Sequence, residues 1–134
     1  MPEADVDHIY NYPKGYIEDI LKSVKTIAMV GASGDKTKFS YGVLRVLHET
    51  GYEMLPVNPN PNIKEIRGLK VFRSLKQIDK PVDMVQVFRR KEELLSVAKE
   101  AIEIKAKVLW GQIGVYNDDA AETAKKAGLK VVMN

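Results

Sequence analysis

Short apolar segments alternate with amphipathic segments along most of this chain. The apolar segments are rich in Val, Ile, Leu and Met and hold few polar residues, which is typical of strands buried on both faces of a parallel sheet. The predicted strands are Lys25–Val30, Tyr52–Val57, Val82–Phe88, Ala106–Trp110 and Leu129–Met133, with a brief extra strand at Leu69–Phe72.

The segments between these strands carry apolar residues at helical spacing. One of them ends at Gly51, a residue type that commonly terminates helices in the left-handed conformation. Another follows Asn117, a preferred N-cap, and has acidic residues in its first turn and lysines in its last, as the helix dipole favours. The predicted helices are Tyr16–Val24, Ser40–Thr50, Lys91–Lys105 and Asp118–Ala127.

This order of elements predicts the α/β class. Repeated strand–helix–strand units imply right-handed crossovers, and hence a doubly wound, Rossmann-like domain with a mainly parallel sheet of five to six strands and helices on both faces. The length of 134 residues suits one domain over residues 1–134. Within it, residues 1–15 are predicted to form an N-terminal arm and residues 16–24 an N-terminal helix.

Composition and charge exclude several classes of function. The chain lacks cysteine, so disulfides, thiolate catalysis and cysteine-bound metals are excluded, and the lysine- and glutamate-rich surface also suits a thermophile. The net charge of +3 comes without a basic run, so no nucleic-acid partner is expected. The N-terminus does not read as a signal peptide and no segment reads as a membrane span, so we expect a cytoplasmic protein with no membrane partner.

Candidate ligand-binding residues follow the predicted strands, because open parallel sheets bind ligands beyond the carboxyl ends of their strands. After the first strand, the small residues of 31–34 would let backbone N–H groups approach a phosphate near a helix N-terminus. Lys38 adds charge, and Ser40 can cap the helix or donate to a phosphate. Neither G-x-G-x-x-G nor a P-loop is present, and an ordinary tight turn remains the alternative.

The ends of the later strands are polar as well. Asn58 and Pro59 follow the second strand, where an NAD site usually has a carboxylate for the ribose, and this counts against a nicotinamide cofactor. Arg89 and Arg90 follow the strand Val82–Phe88 and suit a phosphate or carboxylate, although a solvated pair at the start of a helix is the alternative.

No catalytic set is evident in the sequence. His8 and His48 lie away from the strand ends, in the N-terminal tail and in the middle of a predicted helix. No His, Asp or Glu cluster has metal-ligand spacing, and no serine lies in a nucleophile elbow. We therefore predict no catalytic residue and no metal site, and whether the protein is an enzyme stays open.

The chain also resembles a known family. Its motifs occur in the order seen in the CoA-binding domain family, and the small, single-domain, YccU-like members are the most similar. The motifs are VGAS (30–33), SYGV (40–43), PVNP (56–59), IRGLKVFRSL (66–75), VDMVQVFRR (82–90), VLWGQIGVYN (108–117) and AGLKVVMN (127–134). The resemblance implies a Rossmann-like fold that binds coenzyme A or acyl-CoA, related to the CoA-binding domain of the succinyl-CoA synthetase α subunit.

The resemblance also implies which residues contact each part of the ligand. The pyrophosphate is expected beside Gly31, Ala32 and Ser33, and the adenosine end beside Val57, Asn58 and Pro59. Val87, Phe88 and Arg89 would line the cleft, with Arg89 or Arg90 on a phosphate, and Gln112 and Gly114 would approach the pantetheine. The basic residues available to the phosphates are Lys36, Lys38, Lys64, Arg67, Arg89 and Arg90.

The function implied is binding of coenzyme A or acyl-CoA without catalysis, in a carrier, sensor or accessory role. The phosphorylated histidine of the synthetase α subunit lies in a separate domain and has no counterpart here, so ligase activity does not follow. One alternative is an NAD(P)-binding oxidoreductase-type or regulatory nucleotide-binding domain. A second is a protein-interaction module that has lost its ligand. A homodimer is compatible with each of them.

Overall fold

A five-stranded parallel sheet forms the centre of the protein. The computed structural model describes residues 12–112 and 116–133. The strands in chain order are β1 (Thr26–Val30), β2 (Glu53–Val57), β3 (Glu65–Ile66), β4 (Leu69–Lys70), β5 (Met84–Val87), β6 (Val108–Gly111) and β7 (Lys130–Val132). The sheet has the order β2-β1-β5-β6-β7, with every neighbour parallel, while β3 and β4 form a separate antiparallel hairpin. The predicted α/β class and mainly parallel sheet are confirmed.

Helices cover both faces of this sheet, as predicted for a doubly wound fold. One face packs against α1 (Tyr16–Ser23) and α2 (Phe39–Thr50), and the other against α3 (Leu94–Glu103) and α4 (Asp118–Lys126). Over the part of the chain that the structure describes, no helix is long and apolar enough to cross a membrane. Residues 1–11 of the predicted N-terminal arm lie outside the described residues.

Because helices cover both faces of the sheet, its strands are continuous apolar segments in the sequence. Successive side chains of a strand point to opposite faces, so β1 directs Ile27 and Met29 towards α1 and α2 and Ala28 towards α3 and α4. All three are fully buried. Because both faces are covered, no position in the middle of β1 can be polar without burying a polar group.

The predicted extra strand at Leu69–Phe72 is only partly formed. Leu69 and Lys70 pair with the other strand of the hairpin, and Phe72 makes a single bridge to the outer edge of β2. In that bridge Phe72 N donates to Pro56 O, and Asn58 N donates to Phe72 O, both at 2.9 Å. The preceding parallel hydrogen bond would need an N–H from Pro56, which proline lacks, so the pairing cannot extend to the residues before Phe72.

Two of the predicted helix ends are confirmed by their capping residues, and the largest difference lies at the start of α3. Gly51 ends α2 with φ of 116°, and the Asn117 side chain accepts a hydrogen bond from Ala120 N at the start of α4. The helix predicted to begin at Lys91 instead begins with a single 3-10 turn, and α3 starts at Leu94. This turn holds Arg89 and Arg90 outside the helix, directly after β5.

Two tyrosines occupy the free edge of β7. Tyr12 OH accepts from Met133 N and donates to Met133 O, each at 2.7 Å, while Tyr16 OH contacts Val131 N and O at 3.2 and 3.1 Å. The two rings stack with centroids 5.3 Å apart. An open strand edge is a template for unwanted pairing, and these hydroxyl groups satisfy part of it within the chain.

Asp83 connects the amino ends of the central strands. Its Oδ2 accepts hydrogen bonds from Lys25 N and Thr26 N at 2.8 and 3.2 Å, and its Oδ1 lies 3.7 Å from Lys107 Nζ. Partial burial acts to raise the pKa of Asp83, but the two backbone hydrogen bonds and the nearby lysine charges outweigh it and lower that pKa. The carboxylate therefore stabilises the folded protein in its charged form.

We expect Asp83→Ala to lower the free energy of unfolding by about 2 kcal/mol at neutral pH, because two backbone N–H groups lose their acceptor. Since the pKa is lowered in the folded protein, this contribution is complete above the ordinary aspartate range and declines as the pH falls through the folded value. Urea unfolding should show a smaller difference in the free energy of unfolding between Asp83→Ala and the parent protein at about pH 2 than at about pH 7. The control is Asp79→Ala, at an exposed position. A difference that stays constant with pH would contradict this account.

Candidate functional site

The order of the strands creates a crevice at one end of the sheet. From β1 the chain proceeds outwards to β2, whereas β5, β6 and β7 follow on the other side of β1. The crossovers diverge between β1 and β5, and crevices of this kind at the carboxyl ends of strands are the usual ligand sites of doubly wound sheets. Phe88 N donates to Val30 O at 2.8 Å, so the ends of these two strands are held together.

Gly31 lies at the closest approach of the two strand ends. Its φ is 87°, and a Cβ placed there would lie 2.3 Å from Phe88 O and 3.0 Å from Arg89 Cδ. The N–H groups of Gly31 and Ala32 both donate to Val57 O, at 3.0 and 3.3 Å. The glycine therefore allows three strand ends to meet, and its own N–H is engaged within the protein.

The loop that follows is ordered by its own side chains. Ser33 Oγ accepts from Asp35 N at 3.0 Å, and Asp35 Oδ1 accepts from Thr37 N and Thr37 Oγ1 at 2.9 and 2.7 Å. The hydrogen bonds from Thr37 lower the pKa of Asp35. This network holds the loop in one shape between β1 and α2, which limits the ordering that a ligand would have to impose.

The start of α2 faces the crevice, and within the described part of the chain the side chain of its cap residue makes no capping hydrogen bond. Lys38, in extended conformation, occupies the cap position, and the first turn of α2 contains no acidic residue. Ser40 was predicted as a possible cap, but the helix begins one residue earlier, so Ser40 is its second residue, buried and lining the crevice. Helix N-termini carry a partial positive charge on unpaired N–H groups, and this end suits an anion.

Arg89 and Arg90 are oriented by one carboxylate. Arg89 Nε and Nη2 lie 3.1 and 2.8 Å from Glu93 Oε1, and Arg90 Nε lies 3.5 Å from Glu93 Oε2. Desolvation acts to raise the pKa of Glu93, but the hydrogen bond and charge of Arg89, followed by those of Arg90, outweigh it and lower the pKa. An anionic ligand would meet arginines whose direction is already set, and would share them with Glu93.

These groups enclose a cleft of about 660 Å³, within the usual range of small-molecule sites. Eight predicted residues line it: Gly31, Ser33, Lys38, Ser40, Phe88, Arg89, Arg90 and Gln112. Two further lining residues, Phe39 and Glu93, were missed by the sequence analysis. The spacing of Glu93 from Arg89, four residues apart at the start of a helix, was a signal for that ion pair.

A second cavity, of about 330 Å³, lies on the far side of the Arg89–Glu93 pair. Predicted residues Val57 and Pro59 line it together with Arg73, which the sequence analysis also missed. Arg73 donates to three carbonyl oxygens of the loop after β2, at distances of 2.8 to 3.3 Å. It therefore holds the wall of this cavity in place.

The remaining predicted residues are either buried beneath the site, where they hold its loops in place, or lie away from it. Ala32 and Val87 are fully buried and line neither cavity. Asn58 Nδ2 donates to Ala32 O at 2.8 Å, so the amide holds two loops together. Arg67 forms an ion pair with Glu49 at 3.4 Å. Gly114 lies outside the described residues.

Comparisons with known proteins converge on one family. A sequence model of the CoA binding domain matches residues 25–134. The chain is 43% identical over 124 residues to the uncharacterized protein YneT of Bacillus subtilis (strain 168), covering 92% of this chain and 90% of YneT. A hypothetical protein from Pyrococcus horikoshii OT3 has a similar structure, with a TM-score of 0.84, 33% identity, and coverage of 93% of this chain and 90% of that one.

A more distant match is part of a larger protein. The chain is 29% identical over 128 residues to the alpha subunit of the ADP-forming acetate–CoA ligase I of Pyrococcus furiosus. The match covers 85% of this chain but 28% of that subunit. The similarity therefore concerns one portion of the ligase subunit and leaves most of it without a counterpart here.

Proposed function

The chain belongs to the CoA-binding domain family, and on that premise we propose that it binds coenzyme A or an acyl-CoA in the cleft between β1 and β5, without catalysis. The observation that carries the proposal is the composition of this cleft. The N-terminus of α2 and two oriented arginines converge on one space beside the Gly31 turn, which allows the strand ends to come close together. Such a set suits a ligand with several separate negative charges.

The pyrophosphate is assigned to the end of the cleft beside α2. The N-terminus of α2 supplies N–H groups and a partial positive charge, and the Lys38 side chain is exposed at the same place. Arg89 offers a planar fork that can engage two phosphate oxygens at once. Each of these groups gains more from a diphosphate than from a neutral ligand, which supports placing the most charged part of CoA here.

The adenosine end is assigned to the second cavity, beyond Arg89. Its wall includes Pro59 and Arg73, and Arg89 borders both cavities, so one extended ligand could pass across this arginine. Asn58, where a dinucleotide site usually has a carboxylate for the ribose, directs its amide into the protein at Ala32 O. This arrangement favours CoA over NAD.

A role in binding rather than catalysis is supported by the character of the acidic group in the cleft. Glu93 is the carboxylate that lines the described part of the cleft, and two arginines hold it charged. A general base with a lowered pKa is weak near neutral pH. We infer a carrier, sensor or accessory protein of the cytoplasm that takes up CoA or its thioesters.

We expect isothermal titration of the purified protein to show tighter binding of CoA than of ATP, NAD or NADP, because CoA presents a pyrophosphate and a separate 3′-phosphate. Affinity for CoA should fall as the salt concentration rises from about 0.05 M to about 0.5 M, since exposed charges are screened over this range. Preference for NAD or NADP would overturn the proposal in favour of a dinucleotide domain. Absence of binding to all four would favour a protein-interaction module.

A further inference from the structure

A small apolar cavity adjoins the cleft on the α1 and α2 side of the sheet. We call it the side chamber; its volume is about 240 Å³. Most of its wall is aliphatic or aromatic, and Gln86 is a polar group set among these side chains. The residues that line it are Leu21, Ile27, Phe39, Val43, Leu47, Met84, Gln86, Trp110, Gly111 and Gln112.

Gln86 is anomalous for its position in the fold. It lies on β5, between Met29 of β1 and Trp110 of β6, in the middle of the sheet. The side chain is 8% exposed, and its Oε1 has no hydrogen-bond partner among the residues that the structure describes. A buried amide oxygen without a partner is destabilising, and an apolar residue of the same size would serve the core better. The amide therefore needs a reason other than packing.

The side chamber lies next to the cleft. Phe39 and Gln112 line both spaces, so these two side chains stand where the spaces meet. The Phe39 side chain is 72% exposed although it is large and apolar, and its ring lies 6.2 Å from that of Phe88 across the mouth of the cleft. A long ligand bound in the cleft would lie beside both rings, and its far end would be close to the chamber.

We propose that the side chamber holds the acyl group of a short-chain acyl-CoA, with Gln86 hydrogen-bonded to the neighbouring amide of the pantetheine. This inference rests on the proposed function, because the phosphates in the cleft set the position of the acyl end. The Gln86 carboxamide has both an acceptor and donors, and its unpartnered oxygen can accept the amide N–H next to the thioester arm. The chamber is smaller than the sites of drug-sized ligands, which favours a chain of few carbons.

The test compares CoA, acetyl-CoA, butyryl-CoA and octanoyl-CoA by isothermal titration. We expect butyryl-CoA to bind at least about tenfold more tightly than CoA, since its two methylenes each favour binding by about fourfold when they leave water, about 16-fold together. Octanoyl-CoA should gain nothing over butyryl-CoA, because the chamber is too small for the longer chain. Equal affinities for CoA and its short thioesters would overturn the inference and leave CoA binding intact, whereas failure of all four to bind would overturn the proposed function itself.

A matched pair of variants tests the location. Val43→Phe adds a ring to the wall of the chamber, and Val46→Phe makes the same change at a position of α2 that is 51% exposed. We expect the first variant to bind CoA like the parent protein but to lose the tenfold preference for butyryl-CoA, and the second to keep it. Retention of the preference in a folded Val43→Phe protein would overturn the placement.

Gln86→Met provides a test that does not depend on filling the chamber. Methionine has a similar shape and no buried polar atom, so we expect the melting temperature to stay unchanged or rise. Affinity for butyryl-CoA should fall by roughly three- to tenfold, which corresponds to the usual contribution of one hydrogen bond to the free energy of binding. A lower melting temperature with unchanged affinity would assign Gln86 a structural role and contradict the proposal.

Discussion

Replacing Gly31 with alanine should lower the free energy of unfolding by about 3 kcal/mol, combining the strain of left-handed backbone with overpacking. The residue has φ of 87°, and the added Cβ would lie 2.3 Å from Phe88 O, a backbone atom that cannot move without separating β1 from β5. The same movement displaces Arg89, because the Cβ would also lie 3.0 Å from its Cδ. Affinity for CoA should therefore fall together with stability.

Gly51→Ala is the control that separates these two causes. Gly51 also has a positive φ, of 116°, but a Cβ there would meet no atom within 4 Å among the residues that the structure describes. Its replacement should cost about 1 kcal/mol, the backbone term alone, and leave CoA affinity unchanged. Urea unfolding of both variants measures the difference. Equal losses of stability in the two variants would show that the close contact with Phe88 O contributes nothing to the cost. Gly31 would then not be needed to bring the strand ends of the site together.

Arg89→Ala should weaken CoA binding by about 30-fold, since hydrogen bonds to charged groups contribute about 2 kcal/mol. Arg89 borders both cavities, and its side chain is 36% exposed and held by Glu93 at 2.8 Å, so its fork is positioned before a ligand arrives. Arg90, with a side chain 84% exposed, should contribute less, because a solvated side chain must be ordered on binding. Titration at low and high salt should also show a weaker salt dependence after loss of Arg89.

Two further variants keep this result interpretable. Arg45→Ala removes the same charge from α2, where Arg45 forms an exposed ion pair with Glu49, and should change CoA affinity by less than about twofold. The double variant Arg89→Ala with Glu93→Gln removes the carboxylate that Arg89 leaves behind. If the double variant recovered the parent affinity, repulsion by Glu93 would account for the loss and Arg89 would not be a phosphate ligand.

Most of the secondary structure was predictable from sequence because the constraint is local. A strand buried on both faces must be apolar along its length, and this makes β1, β2, β5, β6 and β7 visible as short apolar segments. Capping preferences likewise placed the end of α2 at Gly51 and the start of α4 after Asn117. The strand at Leu69–Phe72 was overestimated, because pairing of the residues before Phe72 with β2 would need an N–H that Pro56 lacks.

The candidate site was predictable in part for a topological reason. Parallel strands end at one edge of the sheet, so residues that follow different strands were expected to converge, and eight predicted residues do line one cleft. Phe39 was missed because only its position in the folded protein makes it a lining residue. Glu93 and Arg73 were missed because they act on other protein groups, Arg89 and the loop after β2. Nothing in the local pattern marks an exposed phenylalanine at the first residue of a helix as a residue that lines a cleft.

By itself, the sequence determined the α/β class, the positions of the main strands and helices, and the family. The class and the elements follow from periodicity and capping residues, which are properties of residues close together in the chain, and the family follows from the order of the motifs along it. Only the tertiary structure decided the rest: that Gly31 faces Phe88 O, that Glu93 orients both arginines, and that Gln86 opens onto an apolar chamber without a partner for its Oε1 among the described residues. These depend on strand order and register, which bring together residues far apart in the chain, and local pattern carries no information about such distances.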